Sequence, residues 1–299
     1  MLNASGDFRE YHQRILGSEF EEFFQAVGFR LRKAVRVNTL KTRIDFIAGV
    51  FRENRVEFGL VPWHSNAFFV SDDVTGLSFE HQLGLFFIQE AGSMIPPVVL
   101  DVKPRERVLD LCAAPGAKTT QLASDLENLG VLVANEPNYK RIRALVYNIQ
   151  RCGVSNCLVT KRDGCTFYNE GVLFDKVLVD APCSGVGTAG KNRDVLKDWS
   201  SERVKRFSGL QKKLVSSAFK SLDSGGELVY STCTTSLEEN EEVIDFLLEE
   251  FEGAEVVKVK VPGVIARKGL SPGTRKCLRI YPHLNPTGLY FIAKIRKNE

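Results

Sequence analysis

A carboxylate and a thiol lie three residues apart, directly after a run of apolar residues. Residues 176–187 read KVLVDAPCSGVG, in which Asp180 and Cys183 follow the apolar stretch. A short apolar run bounded by Pro and Gly predicts a buried strand that ends in a tight loop. In an open α/β sheet, ligands bind beyond the carboxyl ends of the strands. The pattern therefore places an acid and a thiol where chemistry takes place in such folds.

A second thiol follows a later predicted strand. Residues 227–233 read ELVYSTC, so Cys233 ends this strand much as Cys183 follows the earlier one. The two strands are neighbours in the predicted topology, and the carboxyl ends of parallel neighbours meet at one edge of the sheet. We therefore expect Cys183, Cys233 and Asp180 to converge.

The stretch DLCAAPGAKTT, residues 110–120, predicts a loop between a strand and a helix. Small side chains let the backbone approach a ligand, and free N–H groups at a helix start bind a carboxylate or a phosphate. The loop has no GxGxxG pattern, and Cys112 replaces the first glycine of a P-loop, which disfavours a P-loop ATPase. The predicted cofactor-binding residues here are Cys112, Ala113, Ala114, Pro115, Gly116, Ala117 and Lys118.

Acidic residues also end the other predicted strands of this region. Glu136 and Asp163 end the second and third strands, and Asp180 ends the fourth. Glu136 is placed to accept hydrogen bonds from ribose hydroxyls. Arg141, one turn into the next helix, either reaches the ribose or adenine side or is a plain surface cation. Single acids of this kind can merely cap a helix, but the set favours an adenosine-containing cofactor.

These residues require a sheet to position them, and the regular alternation of strands and helices from residue 107 predicts one. The predicted strands are residues 107–111, 130–136, 157–163, 174–182 and 227–233, with two more near 255–260 and 288–296. Pro137 is predicted to begin a helix, and Ser236 with Glu239 matches a capping box. Repeated βα units imply an α/β fold with a doubly wound, mostly parallel sheet.

The first third of the chain predicts a separate, smaller unit. We expect an α+β domain with a linker helix over residues 1–100 and the larger domain over residues 101–299. Apolar residues at helical spacing run up to Gly28, where we expect that helix to stop. The other predicted elements are a strand in 34–40, a helix near 44–54, short strands in 56–70, and the linker and helix in 79–100.

Composition limits which cellular compartment and which binding partners we expect. The chain has 299 residues and a net charge of +3, which permits nucleic-acid binding without arguing for it. Seven cysteines without a CxxC pair favour a reducing, cytoplasmic compartment. Cys152 and Cys157 have no matching pair of ligands, so we expect no metal. No apolar stretch approaches the roughly 18 residues of a membrane span, and the charged N-terminus does not read as a secretory signal.

Three motifs in this order, CAAPGAKT, DAPCSG and STCT, resemble the Sun/RsmB-type (Nop2/Sun) family of S-adenosylmethionine-dependent RNA cytosine-5 methyltransferases. RVNTLK (36–41) and FIQEAGSM (87–94) are similar to its N-terminal signatures, so the resemblance covers nearly the whole chain. It departs at Ala117, where the family usually has a second glycine; the added methyl is small, and we expect the loop to keep its function. The resemblance implies a class-I methyltransferase (Rossmann-like) fold with S-adenosylmethionine as cofactor.

Roles for the convergent residues follow from the resemblance. It assigns Cys233 as the nucleophile, Cys183 to product release, and Asp180 to protonating or hydrogen-bonding the base. Lys118 either neutralises the cofactor carboxylate or orients the target base. The chemistry of the residues alone does not choose between the thiols. The swapped assignment, which DNA-modifying enzymes of this chemistry use, is the alternative.

The chemistry of cytosine agrees with this set of residues. Carbon 5 is a poor nucleophile, and a thiolate added at carbon 6 makes it enamine-like and able to accept a methyl group. The scheme needs a thiol of lowered pKa, an acid at ring nitrogen 3 and a base for the carbon-5 proton. A cytosine inside a helix is unreachable, so it must be single-stranded or flipped out.

Basic residues around the predicted catalytic edge are candidates for contact with RNA, although each can also be a solvated surface charge. They are Lys33, Arg36, Lys41, Lys191, Arg193, Arg267, Lys268, Arg275 and Lys276. We expect tRNA as substrate, because relatives of this compact length often act on tRNA. The alternatives are an rRNA cytosine-5 methyltransferase and, from another class, a non-catalytic RNA-binding assembly factor, which has no need of two thiols and an acid. We expect a monomer.

Overall fold

The computed structural model describes residues 4–298. Its helices are α1 Gly6–Leu16, α2 Phe20–Val27, α3 Ile44–Glu53, α4 Phe79–Gln82, α5 Ile95–Leu100, α6 Ala117–Asp125, α7 Tyr139–Cys152, α8 Asp194–Lys197, α9 Ser201–Lys220 and α10 Glu241–Glu250. Its strands are β1 Ala34–Val37, β2 Phe58–Leu60, β3 Ala67–Val70, β4 Phe86–Ile88, β5 Arg107–Asp110, β6 Val131–Asn135, β7 Cys157–Thr160, β8 Phe174–Asp180, β9 Leu222–Thr232, β10 Ala254–Val257, β11 Ala266–Lys268, β12 Leu278–Ile280 and β13 Tyr290–Lys297.

The N-terminal part contains a four-stranded sheet in the order β2-β3-β1-β4, with antiparallel pairing throughout. Helix α3 covers one face, where Phe51 packs with Phe68 and Phe86 in a buried cluster. The opposite face turns towards the rest of the molecule, since Phe69 belongs to the same buried cluster as Ile95 of α5. Strand β4 lies in the stretch that the sequence predicts as a linker, because three residues are too short for a recognisable alternation.

The second sheet has nine strands and carries the predicted doubly wound architecture. Its order is β11-β12-β13-β9-β8-β5-β6-β7, with β10 paired to β13. Strands β5 to β9 are parallel, and the later strands are antiparallel. One face packs against α9 and α10, where Leu214 and Ile244 are buried. The other packs against α5 and α6 through residues such as Leu122. Parallel sheets are covered on both faces in this way.

The first two helices pack against the loops beyond β8 and β12. Phe8 of α1 and Phe23 of α2 share a buried cluster with Val186, Trp199 and Tyr281. Helix α2 is followed by Gly28, which is its C-cap, as the sequence predicts. These helices therefore support the carboxyl edge of the large sheet.

Two predicted helix starts are wrong, and side-chain hydrogen bonds explain both. Pro137 precedes α7, whose N-cap is Asn138, because the Asn138 side chain accepts a hydrogen bond from the Lys140 amide. Ser236 and Glu239 form no capping box, since α10 begins later and has Asn240 at its N-cap with no side-chain capping bond. The carboxylate of Glu239 is engaged elsewhere, as described below.

Three features of residues 4–298 concern membrane spans, the state of the cysteines and possible metal ligands. No helix in this range combines the length and apolar character of a membrane span. All seven cysteines lie in the range and are free thiols. Within it, no group of three or more His, Cys, Asp or Glu side chains is arranged to hold a metal ion.

Candidate active site

Two thiols face each other at the carboxyl ends of β8 and β9. These strands pair in parallel with Asp180 opposite Ser231, which brings the following residues together. The sulfur atoms of Cys183 and Cys233 are 3.2 Å apart, within reach of a shared S–H hydrogen bond. The hydrogen bond to Cys233 and then burial raise the pKa of Cys183 well above its ordinary value. The thiol form of Cys183 is therefore favoured.

A glycine allows the loop beyond Cys183 to lie against the second thiol. The Gly187 amide donates a 2.8 Å hydrogen bond to the carbonyl of Cys233. A Cβ at position 187 would lie 3.0 Å from that carbonyl oxygen and 2.9 Å from the carbonyl oxygen of Leu289. A larger residue here would push the two loops apart.

The carboxylate of Asp180 lies at the centre of a polar network beside the thiols. Lys118 Nζ donates to Asp180 Oδ2 at 2.7 Å, and Ser231 Oγ donates to Asp180 Oδ1 at 2.8 Å. Lys118 also donates to Ser93 Oγ at 3.0 Å. The Lys118 side chain is 11% exposed and that of Asp180 is 32% exposed, so the ion pair is only partly solvated. The network therefore holds the Lys118 ammonium group and the Asp180 carboxylate together at the open edge of the sheet.

The loop over residues 112–116 runs from β5 to α6. The Ala113 amide donates to Asn135 O at 2.9 Å, which ties the loop to the end of β6. Gly116 is the N-cap of α6 with a φ of 105°, and a Cβ there would lie 3.1 Å from Leu145 Cδ1. Ala117 is the first residue of α6, a right-handed position that accommodates an alanine. The first N–H groups of such a helix have no intrahelical partner and point at the loop.

Cys112 is half-buried against the hydrophobic core of the sheet. Burial raises the pKa of the Cys112 thiol well above its ordinary value. Its thiol is therefore a packing group, and the backbone of the loop is what faces the open edge.

The acidic residues at the other strand ends divide into two kinds. Glu136 is buried, accepts from the Asn138 amide at 2.9 Å and pairs with Arg141 Nη1 at 2.9 Å. Arg141 also donates to Ala114 O, 2.6 Å away, which links β6 to the loop. Asp163, in contrast, is exposed and caps the 3-10 helix Gly164–Glu170 by accepting from the Cys165 amide. Glu136 and Arg141 lie with the loop, and Asp163 lies further along the sheet edge.

A buried acid at the end of β5, Asp110, was not among the predicted site residues. Its Oδ2 accepts a 2.7 Å hydrogen bond from Thr119 Oγ1, but among residues 4–298 no donor reaches its buried Oδ1. Burial raises the pKa of Asp110 to about 7. Its only sequence signal is a position at the end of the first strand, as for Glu136 and Asp180.

The Asp110 carboxyl predicts an unusual dependence of stability on pH. Because its pKa is raised in the folded protein, the native state binds more protons than the unfolded state between about pH 4 and pH 7, so stability falls as the pH rises through this window. Asp110→Asn is expected to lose less stability between pH 5 and pH 8.5, by up to about 3 kcal/mol, because about two pH units of the window lie in this range. Denaturant unfolding at both pH values measures this, and parallel losses in the two proteins would contradict the assignment.

Comparison with known proteins agrees with this geometry. A family model described as 16S rRNA methyltransferase RsmB/F matches residues 97–296. The chain belongs to the RsmB/F methyltransferase family. A second model, described as the N-terminal domain of 16S rRNA methyltransferase RsmF, matches residues 5–91. The resemblance found in the sequence motifs is confirmed.

Individual relatives of this RsmB/F family member fall into two groups. A tRNA (cytosine(49)-C(5))-methyltransferase of Pyrococcus abyssi is 46% identical, with 93% of this chain and 92% of that protein covered. A ribosomal RNA small subunit methyltransferase F of Aliivibrio fischeri is 42% identical, with 93% of this chain but only 60% of that protein covered. A solved structure of a methyltransferase homologue from Pyrococcus horikoshii is 34% identical, has a TM-score of 0.89, and covers 99% of this chain and 96% of that chain. The class-I methyltransferase fold is confirmed.

In this RsmB/F methyltransferase, the basic residues of RVNTLK and its neighbourhood serve the fold. Arg36 is 2% exposed and donates to Gln89 Oε1 at 3.0 Å and Thr120 Oγ1 at 2.8 Å, so the prediction that it contacts RNA is wrong. Its guanidinium instead ties β1 to α6, the helix that follows the loop. Lys33 and Lys41 donate to backbone carbonyls, Lys41 to that of Arg151 at 2.7 Å.

Basic residues, Lys33 among them, line a groove between the segment before β1 and the loop that follows the thiol loop of Cys183. The segment 30–34 and the loop at 190–191 enclose a space of about 430 Å³. The loop contact is close, since a Cβ at Gly190 would lie 2.3 Å from Phe29 O. Glu90 lines the same groove and accepts from the Ser93 amide at 2.9 Å, next to the Lys118 contact. The cationic lining residues are Arg30, Arg32, Lys33 and Lys191.

The predicted RNA contacts Arg267, Lys268, Arg275 and Lys276 lie together around β11 and the start of β12, away from the site. Residues Arg267 and Lys268 are on β11, which is separated from β9 by β12 and β13, or by roughly 14 Å at the usual strand spacing. Arg267 pairs with Glu19 at 2.8 Å, and Lys276 pairs with Glu255 at 3.4 Å. The hairpin β11–β12 was not predicted, because its strands are three residues each.

Proposed function

We propose that this chain transfers a methyl group from S-adenosylmethionine to carbon 5 of cytosine in RNA, with tRNA as the substrate. The observation that carries the proposal is the pair of thiols 3.2 Å apart beside the Lys118–Asp180 ion pair. The similarity to a tRNA cytosine-5 methyltransferase along nearly its whole length supports tRNA. The rRNA methyltransferases of the family support ribosomal RNA as the second candidate, although the chain spans only 60% of the one compared.

The residues around the first loop fit S-adenosylmethionine. The unpaired N–H groups at the start of α6 suit its carboxylate, and the unpartnered Asp110 Oδ1 suits a donor such as its ammonium group. Glu136 suits the ribose hydroxyls. When bound, S-adenosylmethionine supplies an electrophilic methyl group. The proposed cofactor-binding residues remain Cys112, Ala113, Ala114, Pro115, Gly116, Ala117, Lys118, Glu136, Arg141, Asp163 and Asp180.

Cys233 is the proposed nucleophile. Its thiolate adds to carbon 6 of cytosine, and carbon 5 then accepts the methyl group. The resemblance of the STCT motif supports this choice of thiol, and the 3.2 Å contact lets Cys183, whose thiol form is favoured, donate an S–H hydrogen bond to the Cys233 sulfur. In the release step the carbon-5 proton leaves to water, its bonding electrons re-form the ring double bond, and the carbon–sulfur bond breaks. Cys183 then hydrogen-bonds the departing Cys233 thiolate.

Asp180 is the proposed contact for the cytosine ring. As a carboxylate it can accept from the exocyclic amino group. In its protonated form it can donate a hydrogen bond to ring nitrogen 3, and Lys118 Nζ lies 2.7 Å from its Oδ2. Ser231 and Ser93 hold this pair in place, so both act as positioning residues.

The substrate class is tested by methyl transfer from labelled S-adenosylmethionine to total tRNA and, separately, to rRNA, followed by nucleoside analysis. Label in 5-methylcytidine of tRNA is expected. Label confined to rRNA would favour the second candidate. No transfer to either RNA, with both RNA and cofactor still bound, would favour a non-catalytic assembly factor.

The groove between residues 30–34 and the loop at 190–191 is the proposed path of the RNA strand. Lys191→Ala is expected to weaken tRNA binding several-fold and to lower the slope of log K against log salt by about one, because one phosphate contact is lost. Filter binding at several salt concentrations measures both. Lys103→Ala is the matched control, since Lys103 lies before β5 at the opposite edge and, among residues 4–298, forms an ion pair with Asp101 alone. Equal effects of the two variants would contradict the proposed path.

We further propose that residues 1–100 form the RNA-binding domain and residues 101–299 the catalytic domain, and that the protein works as a cytoplasmic monomer. Two family models with separate matches, to residues 5–91 and 97–296, support a division near residue 100. Seven free thiols support a reducing compartment.

A further inference from the structure

A buried carboxylate lies against the loop that carries Cys183 and has no part in the mechanism described so far. Glu239 is completely buried. Its Oε2 accepts from the Ser184 amide at 2.8 Å and from Gln211 Nε2 at 3.0 Å. Gln211 Nε2 also donates to Pro182 O at 2.8 Å. Both neighbours of Cys183 are therefore held, one by Glu239 itself and the other through Gln211.

A hydrogen bond between two hydroxyl groups ties the same loop to the segment that carries Cys233. Ser184 Oγ and Thr234 Oγ1 are 2.8 Å apart, and these residues directly follow Cys183 and Cys233. The Glu239 backbone is fixed as well, because its carbonyl accepts from Tyr230 Oη at 2.6 Å. Glu239 thus anchors the contact that sets the distance between the two sulfur atoms.

Glu239 also acts on Cys183 through its charge. Burial raises the pKa of Glu239, while hydrogen bonds from Ser184 and Gln211 favour its ionised form. The charged and titratable groups that face Cys183 are Cys233 and Glu239, with Tyr230 behind them and the Asp180–Lys118 pair at the strand end. After the Cys233 hydrogen bond and burial, the Glu239 charge contributes to the raised pKa of Cys183.

We propose that Glu239 is a positioning residue for the release half of the reaction, acting through Cys183. It holds the loop so that the two sulfur atoms stay within hydrogen-bond distance, and in its ionised form its negative charge favours the thiol form of Cys183. The inference rests on the proposed function. It does not follow from the family motifs quoted above, since none of them includes Glu239, which the sequence spacing predicts only as part of a helix cap.

The test in turnover uses Glu239→Gln, which keeps an acceptor for the Ser184 amide and removes the charge. Adduct formation with tRNA is expected to stay within a few-fold of wild type, while release slows about ten-fold or more and the covalent adduct accumulates. Release is also expected to fall off at a lower alkaline pH than in wild type, because Cys183 loses its proton more easily. Glu242→Gln, which changes an exposed carboxylate in the first turn of α10, is the matched control and should change neither rate.

A double-mutant comparison separates action through Cys183 from a general loss of structure. In the Cys183→Ala background, Glu239→Gln is expected to change the release rate less than two-fold, since the group it acts on is gone. Equal and additive slowing in both backgrounds would overturn the proposal. So would slowing of adduct formation as large as that of release.

A measurement without RNA distinguishes failure of this inference from failure of the proposed function. In Cys233→Ala protein, the rate of Cys183 alkylation by iodoacetamide, followed by mass spectrometry across pH, reports the ionisation of Cys183. Glu239→Gln is expected to shift this profile to lower pH, and Glu242→Gln is expected to leave it in place. An unshifted profile would overturn the inference even if methyl transfer is observed. A shifted profile in a protein that methylates no RNA would overturn the proposed function and leave the Glu239–Cys183 coupling.

Discussion

Replacing Cys233 with alanine is expected to abolish methyl transfer to RNA, with a loss of about 10⁴-fold or more. Carbon 5 of cytosine becomes nucleophilic only after a thiolate adds to carbon 6, so no other group in the site can make up for the missing sulfur. The loop over residues 112–116 does not depend on this side chain, so S-adenosylmethionine binding is expected to remain within about two-fold. Transfer of labelled methyl to tRNA and calorimetric titration with the cofactor measure the two effects.

Cys165→Ala is the control for a general effect of removing a partly exposed thiol. Cys165 lies in the 3-10 helix Gly164–Glu170, away from the paired thiols, and its loss should leave transfer unchanged. Activity retained in Cys233→Ala but lost in Cys183→Ala would reverse the two thiol assignments. That outcome would make Cys183 the nucleophile, as in the swapped arrangement considered from the sequence.

Replacing Cys183 with alanine is expected to have the second large effect, which is to arrest the reaction after methyl transfer. The departing Cys233 thiolate then lacks the S–H donor that lies 3.2 Å away in the wild-type site. Without that hydrogen bond the sulfur is a poorer leaving group. A covalent protein–tRNA complex should therefore accumulate on denaturing gels, with multiple turnover reduced at least 100-fold.

The double variant Cys183→Ala with Cys233→Ala is the control for this trap, because it keeps the RNA-binding surface and removes both sulfur atoms. It is expected to form no covalent complex. A complex of equal yield in the double variant would show that another residue forms the bond to RNA, which would contradict both thiol roles.

The convergence of the thiols and Asp180 was predictable because it depends only on strand order. Parallel neighbouring strands have their carboxyl ends at the same edge of the sheet. Because Asp180 pairs with Ser231 in the register of β8 and β9, the residues that follow them lie close together. Ser231 itself was not recognised, although it lies two residues before Cys233 and faces the same side of β9. Its role depends on the neighbouring strand, which the local sequence does not contain.

Glu239 shows why a local motif can mislead. Serine followed three residues later by glutamate is compatible with a capping box, and the physical preference for it is about 1 kcal/mol. A buried carboxylate whose Oε2 accepts from both the Ser184 amide and Gln211 satisfies two donors at once, and this tertiary arrangement prevails. The competing contacts come from residues 28 and 55 positions away, so the pattern of one helix start could not reveal them.

Arg36 illustrates the same limit for charged residues. A cation beside other cations in a predicted RNA-binding domain is normally a surface group. Here it is buried between the N-terminal sheet and α6, and it donates hydrogen bonds to Gln89 and Thr120. It therefore links the N-terminal sheet to the helix that follows the cofactor loop. Only the packing of two separate parts of the chain reveals that role.

The most direct test of the account is to identify which residue carries the nucleotide and whether that nucleotide is methylated. Cys183→Ala protein is incubated with S-adenosylmethionine and tRNA, digested with protease and nuclease, and analysed by tandem mass spectrometry. The account predicts a peptide in which Cys233 carries a methylated cytidine nucleotide. No adduct, or a nucleotide attached to any residue other than Cys233, would contradict it.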